Sequence, residues 1–194
     1  MVGNEDIKTF RVEINGTKPL LMHSTRGMTE GPKLARGAKL PPEDEAELAL
    51  YKNKDGVIVL PEDVILGAIK SAAVDFKAPG KGRKTYKTYV DSGLELDGDA
   101  VLEPQTYEVD SRPVVIQRSR IIRSRPRFDE WTASFKIIIL DTDTWIDAFD
   151  KVYGGGANLR DVLAAAGKYK GLCDYRPRFG RFEVTNFEPC NGED

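Results

Sequence analysis

One histidine, His23, and two cysteines, Cys173 and Cys190, are all the imidazole and thiol groups of the chain. A tetrahedral zinc site takes about four such ligands, so the usual His/Cys metal site is excluded. No Ser-His-Asp arrangement has support in the sequence. His23 could serve as a general acid or base with Lys84 or Tyr86 as helper. A polar residue closing a strand explains it with fewer partners and is the preferred reading. Asp141 and Asp143 could hold a metal as paired carboxylates, but helix capping accounts for them more simply. Gly154-Gly155-Gly156 is not followed by Lys and Ser or Thr, so it is read as a linker and not a phosphate loop. No metal and no cofactor are expected.

The chemistry that remains is that of guanidinium, ammonium and aromatic rings. The 29 Lys and Arg against 31 Asp and Glu leave a net charge of -2, which does not advertise a nucleic-acid binder. The distribution does: positive charge gathers in Lys77–Lys87, Arg112–Arg127 and Lys168–Arg181. Acid gathers in Glu43–Glu47, Asp91–Asp99, Asp141–Asp150 and the terminal Glu193-Asp194. Segregation of this kind can build a basic groove on a neutral molecule. All three basic blocks contain glycines or aromatic rings, unlike a plain solvated helix face. The expected phosphate contacts are Lys81, Arg83, Lys84, Arg118, Arg120, Arg123, Arg125, Arg176 and Arg178, so binding should weaken steeply with salt.

Elements must carry these residues. Leu159 to Ala166 reads as a short helix with Leu159, Val162, Leu163 and Ala166 on one face, and Gly167 stands where its C-cap is expected. A loop through Tyr175, Arg176, Pro177, Arg178 and Phe179 follows, then a strand from Arg181 to Val184. Alternation lets only one of Phe179 and Phe182 face inward. The glycines Gly171 and Gly180 would let the main chain approach a phosphate. Near the start, Phe10, Val12 and Ile14 alternate with Thr9, Arg11 and Glu13 in a strand. Ser24 to Pro42 reads as a long loop, and Glu43 to Tyr51 as an acidic helix. Asn53 to Gly56 is a turn into the strand Val57–Leu60. Pro61, Glu62 and Asp63 open a helix whose stripe is Ile65, Ile69 and Ala72 or Ala73. Gly67 inside it costs about 1 kcal/mol against Ala, a cost that close packing on a strand or on a bound backbone would explain.

Lys77 to Tyr89 has the composition of a flexible basic loop, and Leu94 to Leu102 that of a polar turn region with weak strand character. Tyr107–Ile116 and Ile121–Leu140 look like a β-ribbon, with the arginines at its tip or along one edge. Ser134–Leu140 is the clearest buried strand. Asp141–Tyr153 is a candidate helix with Trp145, Ile146 and Phe149 inward, and Asn158 caps the closing helix. Trp131 reads as core or interface. The order approximates βαββαβ, which predicts an α+β fold with a ferredoxin-like or RRM-like core, a long first insertion and a β-hairpin projection. One domain is expected, with insertions at roughly 24–56 and 77–130.

Two segments resemble the RAMP superfamily of CRISPR-associated RNA-binding proteins. Val59-Leu60-Pro61 through Ile69-Lys70-Ser71 is similar to the strand, proline and hydrophobic-Gly-hydrophobic-hydrophobic-basic helix after that superfamily's first strand. Gly167 to Phe182, ending in Phe-Gly-Arg-Phe, resembles its Gly-rich loop before the last strand. Asp174 and Pro177 depart from the fuller glycine pattern. Backbone subunits that coat guide RNA fit best, while Thr17–His23 and Asp110–Val115 resemble small phage and prophage proteins with these features. The resemblance implies an RRM-like core, a hairpin projection around Arg118–Arg127, oligomerisation along nucleic acid and no cofactor.

The leading expectation is a non-enzymatic protein that binds single-stranded RNA, ahead of single-stranded DNA, and forms homo-oligomers on the strand. One alternative is a phage module that engages or mimics a CRISPR surveillance complex. Another is a His23-dependent endoribonuclease, since some members of that superfamily use a histidine. At 31% charged and 40% hydrophobic residues the composition is that of an ordinary globular protein. No run has transmembrane length, and Met1–Lys8 lacks the apolar core of a signal peptide. With only two cysteines, a reducing cytoplasm is expected and no membrane partner.

Overall fold

Alternation in the first strand sets the layer on which the rest packs. In β1 (Lys8–Gly16) Phe10, Val12 and Ile14 are buried while Arg11 and Glu13 face out. The computed structural model describes residues 7–32, 39–78, 82–116, 118–140 and 159–190. After β1 come β2 (Leu20–Leu21), α1 (Arg26–Thr29), α2 (Pro42–Leu48), β3 (Val59–Leu60), α3 (Glu62–Ala73) and α4 (Lys87–Gly93). Then follow β4 (Leu94–Leu96), β5 (Ala100–Glu103), β6 (Glu108–Ile116), β7 (Ser119–Phe128) and β8 (Thr132–Ile139). The chain closes with α5 (Leu159–Ala165), a π-helical turn at Ala166–Lys170, and β9 (Phe182–Pro189).

The strands form two antiparallel sheets, so with few helices among the described residues the fold is α+β. The main sheet runs β3-β5-β8-β1-β9, and β4 also pairs with β8. Register puts Phe10 opposite Ile137, Val12 opposite Phe135 and Ile14 opposite Ala133, so the buried residues of β1 and β8 share one face. That face packs on the stripe of α3 and on α5: Ile65, Ala68, Ile69, Ala72, Leu159, Val162 and Leu163 all enter the core. Each of the Ile, Leu and Val side chains among them contributes about 1.5–3 kcal/mol on burial. The opposite face carries Arg11, Glu13, Ser134 and Val101, and the four phenylalanines of the main-sheet strands all turn to the core side or pack against it. It therefore offers no ring for stacking bases on the sheet. The second sheet, β2-β7-β6, is a long hairpin buttressed by β2 on one edge and by α2.

The strand β1, the α3 stripe, the turn at Asn53–Gly56 and the inward Phe182 stand as the sequence predicts. Four expectations need correction. The β-ribbon ends at Phe128, and β8 belongs to the other sheet, because the turn at Asp129–Trp131 redirects the chain. The expected loop Ser24–Pro42 holds a short helix, α1 at Arg26–Thr29. Lys77–Tyr89 is not simply a basic loop: Lys77 bridges Thr85, α4 starts at Lys87, and Tyr86 is fully buried. Tyr86 is thus a core residue and no helper for His23.

Lastly, Gly167 does not cap the closing helix. The chain continues through the π-helical turn to Gly171, whose positive φ of 74° ends it. Gly167 is required for another reason, since a Cβ there would lie 2.2 Å from the Phe182 carbonyl oxygen. Trp131 is core, with its indole N–H donating to the Lys18 carbonyl at 2.9 Å. Lys81, the 33–38 part of the long loop, the expected helix Asp141–Tyr153 with Trp145, Ile146 and Phe149, the pair Asp141 and Asp143, Gly154–Gly156 and Asn158 lie outside the described residues.

Candidate nucleic-acid interface

The loop from Gly171 to Arg181 is pinned by its backbone. Leu172 is buried and its N–H donates to the Gly180 carbonyl at 2.9 Å. The Gly180 N–H donates to the Pro19 carbonyl, and the Asp174 N–H to that of Leu21. Gly180 has φ 69°, and a Cβ on it would sit 2.1 Å from the Leu172 carbonyl oxygen. Its close approach is therefore to the protein's own main chain and not to a ligand. The pinned loop exposes Arg176 and Arg178 and leaves Tyr175 and Phe179 half-buried. The two rings meet edge to face with centroids 6.2 Å apart.

The hairpin supplies a third partner. Arg112 places its guanidinium 5.1 Å from the Tyr175 centroid and 4.7 Å from that of Phe179. Asp110 on the same face grips Arg112 through both carboxylate oxygens. That hydrogen bond, ahead of other causes, holds the Asp110 carboxyl below its usual range. Arg125, opposite Asp110 in register, is buried; its Nε lies 2.5 Å from Asp174 Oδ2. Neither Nε nor Nη1 makes an aligned hydrogen bond, so charge and not alignment holds this pair. Arg125 also lies 5.7 Å from the Tyr175 ring, and its Nη2 is 3.5 Å from His23 Nδ1.

His23 stands between two clefts. One, of about 680 Å³, is lined by His23, Tyr51, Gly67, Tyr169, Cys173 and Arg176, among others. The other, of about 430 Å³, lies against α1 and α2 and also holds Glu45 and Arg123. Burial lowers the His23 pKa, and the neighbouring Arg125 charge adds to that shift, so the ring is neutral near pH 7. Tyr51 donates its hydroxyl to the His23 carbonyl at 3.0 Å. Burial pushes the Cys173 thiol up to about 12, which makes it an inert lining group. Gly67 faces the first cleft, and a Cβ there would meet nothing within 4 Å. Close packing on a strand is therefore not the reason for this glycine.

The structure sorts the candidate arginines and lysines by whether their charge is already matched. Arg123 pairs with Glu45 at 3.0 Å, and Arg125 with Asp174. Arg118 and Arg120 at the hairpin tip are exposed, as are Arg176 and Arg178 on the loop; among the described residues none of the four has an ion-pair partner. Arg83 and Lys84 are exposed on the connection between α3 and α4, with no hydrogen bond or ion pair to the aromatic loop. Lys81 lies outside the described residues. Thus Arg176 and His23 line one cleft with Arg125 against the His23 ring, Arg178 stands exposed on the same loop, and Arg118 and Arg120 stand at the far end of the hairpin. Arg112 and Asp174 were not among the expected site residues. The alternation of Asp110, Arg112 and Val114 was the available signal for Arg112, whereas nothing local marked Asp174.

No family model and no curated protein matches the sequence. Among solved structures the fold is similar to that of a chain in the cryo-EM structure of the type III-B Cmr-beta bound to cognate target RNA. That match has a TM-score of 0.53 at 13% identity, and covers 97% of this chain and 62% of the other. The likeness is one of fold, and this chain spans less than two thirds of that neighbour's length. Among the described residues no helix is long and apolar enough to cross a membrane.

Proposed function

We propose that the chain binds single-stranded nucleic acid, RNA ahead of DNA, without catalysis, and that copies of it assemble along the strand as in CRISPR-type backbone subunits. The observation that carries this reading is the pair Arg176 and Arg178, exposed and without an ion-pair partner among the described residues, set between the Tyr175 and Phe179 rings on a loop whose Arg176 lines the 680 Å³ cleft. Arginine forks bind phosphate and rings stack bases, so the combination suits a strand whose bases are unpaired. Two further facts support it. The strand order β5-β8-β1-β9, with α3 and α5 packed together, agrees with a ferredoxin-like core of the RAMP kind. The similar Cmr-beta chain belongs to an RNA-bound structure. On this reading the hairpin tip with Arg118 and Arg120 is the projection that follows the strand or a neighbouring copy, and the protein works in the cytoplasm. Arg83 and Lys84 would extend the contact.

The test is a binding titration with ~20-nucleotide RNA and DNA single strands, together with the mass and the 260/280 nm absorbance ratio of the purified chain. Four phosphate contacts at ~0.7 each give a log–log salt slope of about −3, or roughly a fifty-fold loss between ~50 and ~200 mM salt. Absent or salt-insensitive binding overturns the proposal. A monomer that ignores nucleic acid but is captured by a CRISPR surveillance complex favours the phage interaction module instead.

A second reading, His23-dependent RNA cleavage, has one observation in its favour: an imidazole that lines both clefts beside the Arg125 guanidinium, its pKa lowered by burial and by that charge. That is a base next to a cation, the minimum for general base chemistry on a phosphodiester. Unchanged cleavage of structured RNA in His23→Ala, or no cleavage at all, removes it.

A further inference from the structure

A third cleft, of about 490 Å³, lies between α5 and β9 and contains none of the residues discussed above as phosphate contacts. Four cations line it: Lys18, Arg160, Lys168 and Arg181. Glu183 is the only carboxylate among its lining residues. Among the described residues none of the four cations has an ion-pair partner; Arg181 donates its Nε to the Pro177 carbonyl at 2.7 Å, and Lys168 lies 5.2 Å from the Tyr169 ring centroid. Unneutralised like charges held around one concavity repel one another and favour an anion between them. The cleft is not merely polar, since Val184 and Ala164 line it with Phe182 beneath.

The four cations come from three chain segments that the fold holds in fixed relation. The N–H groups of Thr17 and Lys18 both donate to the Arg181 carbonyl, at 2.8 and 3.2 Å, which locks the turn after β1 to the start of β9. The tight seat of Gly167 against Phe182 fixes the helical segment carrying Arg160 and Lys168 to the same strand. The cleft also adjoins the aromatic loop. Arg181 reaches back to Pro177, and Tyr169, under Lys168, lines the first cleft.

We propose that this cleft is a second anion site that takes a nucleotide, its phosphate on the four cations and its base against the Ala164–Val184 floor. The occupant is either a nucleotide within a strand that has passed over the Arg176–Arg178 loop or a free nucleotide. The first source rests on the function proposed above, whereas the second does not.

Arg160 and Lys168 are exposed, so R160E/K168E leaves the core untouched. Three titrations, with a ~20-nucleotide RNA strand, a ~6-nucleotide RNA strand and ATP, separate the sources. For a strand site, the double variant lowers affinity for the long strand at least about tenfold and reduces its salt slope by about 1.4, leaving the short strand less affected. For a free-nucleotide site, wild type binds ATP and the double variant does not. Should the double variant fold poorly, Glu183→Gln tests the same site in the opposite sense, because removing the carboxylate tightens binding. Wild-type affinity for all three ligands in a folded double variant, with a loss only in R176Q/R178Q, overturns this site and leaves the proposed function standing. Failure of wild type to bind any of the three overturns both.

Discussion

Arg125 of β7 and Asp174 of the aromatic loop meet at 2.5 Å and join the hairpin to the last third of the chain. The Arg125 side chain is 11% exposed and that of Asp174 29%, so the pair is largely shielded from water on the arginine side. Removing one partner of such a pair strands the other charge in a poor dielectric. Asp174→Asn should therefore destabilise the protein by about 2–4 kcal/mol in urea unfolding, toward the lower part of that range because Asp174 keeps some solvent. The double variant R125M/D174N should recover most of the loss. A D174N change within about 0.5 kcal/mol of wild type contradicts the structural role of the pair.

Arg176 and Arg178 differ from Arg125 in having no internal partner among the described residues. Neutralising both in R176Q/R178Q should leave the unfolding midpoint unchanged and reduce the salt slope of strand binding by about 1.4. Arg123→Gln should show the reverse pattern, because its charge already meets Glu45. It should cost only about 0.2–1 kcal/mol of stability, as an exposed pair does, and little of the slope.

Two groups make stability depend on acidity in the same sense. His23 has its pKa lowered by burial and then by Arg125, so the folded chain binds that proton less readily than the unfolded chain. Its contribution is complete above the ordinary histidine value of 6.5 and declines as the pH falls below it. Asp110 is held below the usual carboxylate range, first by the Arg112 hydrogen bond. Its contribution is present above that range and is lost as acid protonates the folded carboxyl. Thermal unfolding followed from neutral pH downward should show two declines. H23Q should flatten the first and D110N the second; an unchanged profile in either variant contradicts the assignment.

The two glycines of the helical segments predict opposite outcomes for one substitution. Gly167→Ala drives a Cβ into the Phe182 carbonyl and should cost about 1–3 kcal/mol or more. Gly67→Ala meets only open space in the middle of α3 and should stabilise by about 1 kcal/mol. Because Gly67 lines the first cleft, bulkier substitutions there should weaken strand binding while leaving the fold intact. A destabilised G67A, measured by urea unfolding, contradicts this account.

Local period accounts for much of the core. The alternation of Phe10, Val12 and Ile14, the stripe Ile65–Ile69–Ala72 and the strand through Phe135 and Ile137 are set by the two periods at which side chains repeat along strands and helices. The inward Phe182 follows from the same alternation. Those features specify an α+β chain with a basic, aromatic loop before its last strand.

The hidden part concerns pairing across distance. Charge counts along the chain cannot distinguish Arg123 and Arg125 from Arg118 and Arg120 of the same hairpin, yet folding brings Glu45 from 78 positions away to Arg123 and Asp174 to Arg125. Gly180 likewise suits a ligand or a neighbouring main chain equally well until Leu172 is placed beside it. The cleft of Lys18, Arg160, Lys168 and Arg181 is assembled from three segments, and nothing local joins Lys18 and Arg160 to the basic block that starts at Lys168. The sequence by itself determined which residues carry charge and which faces are apolar, because those are properties of single residues and their local period. Only the tertiary structure decided which charges are neutralised and which stay open to a ligand, because Coulomb attraction depends on separation in space and not along the chain.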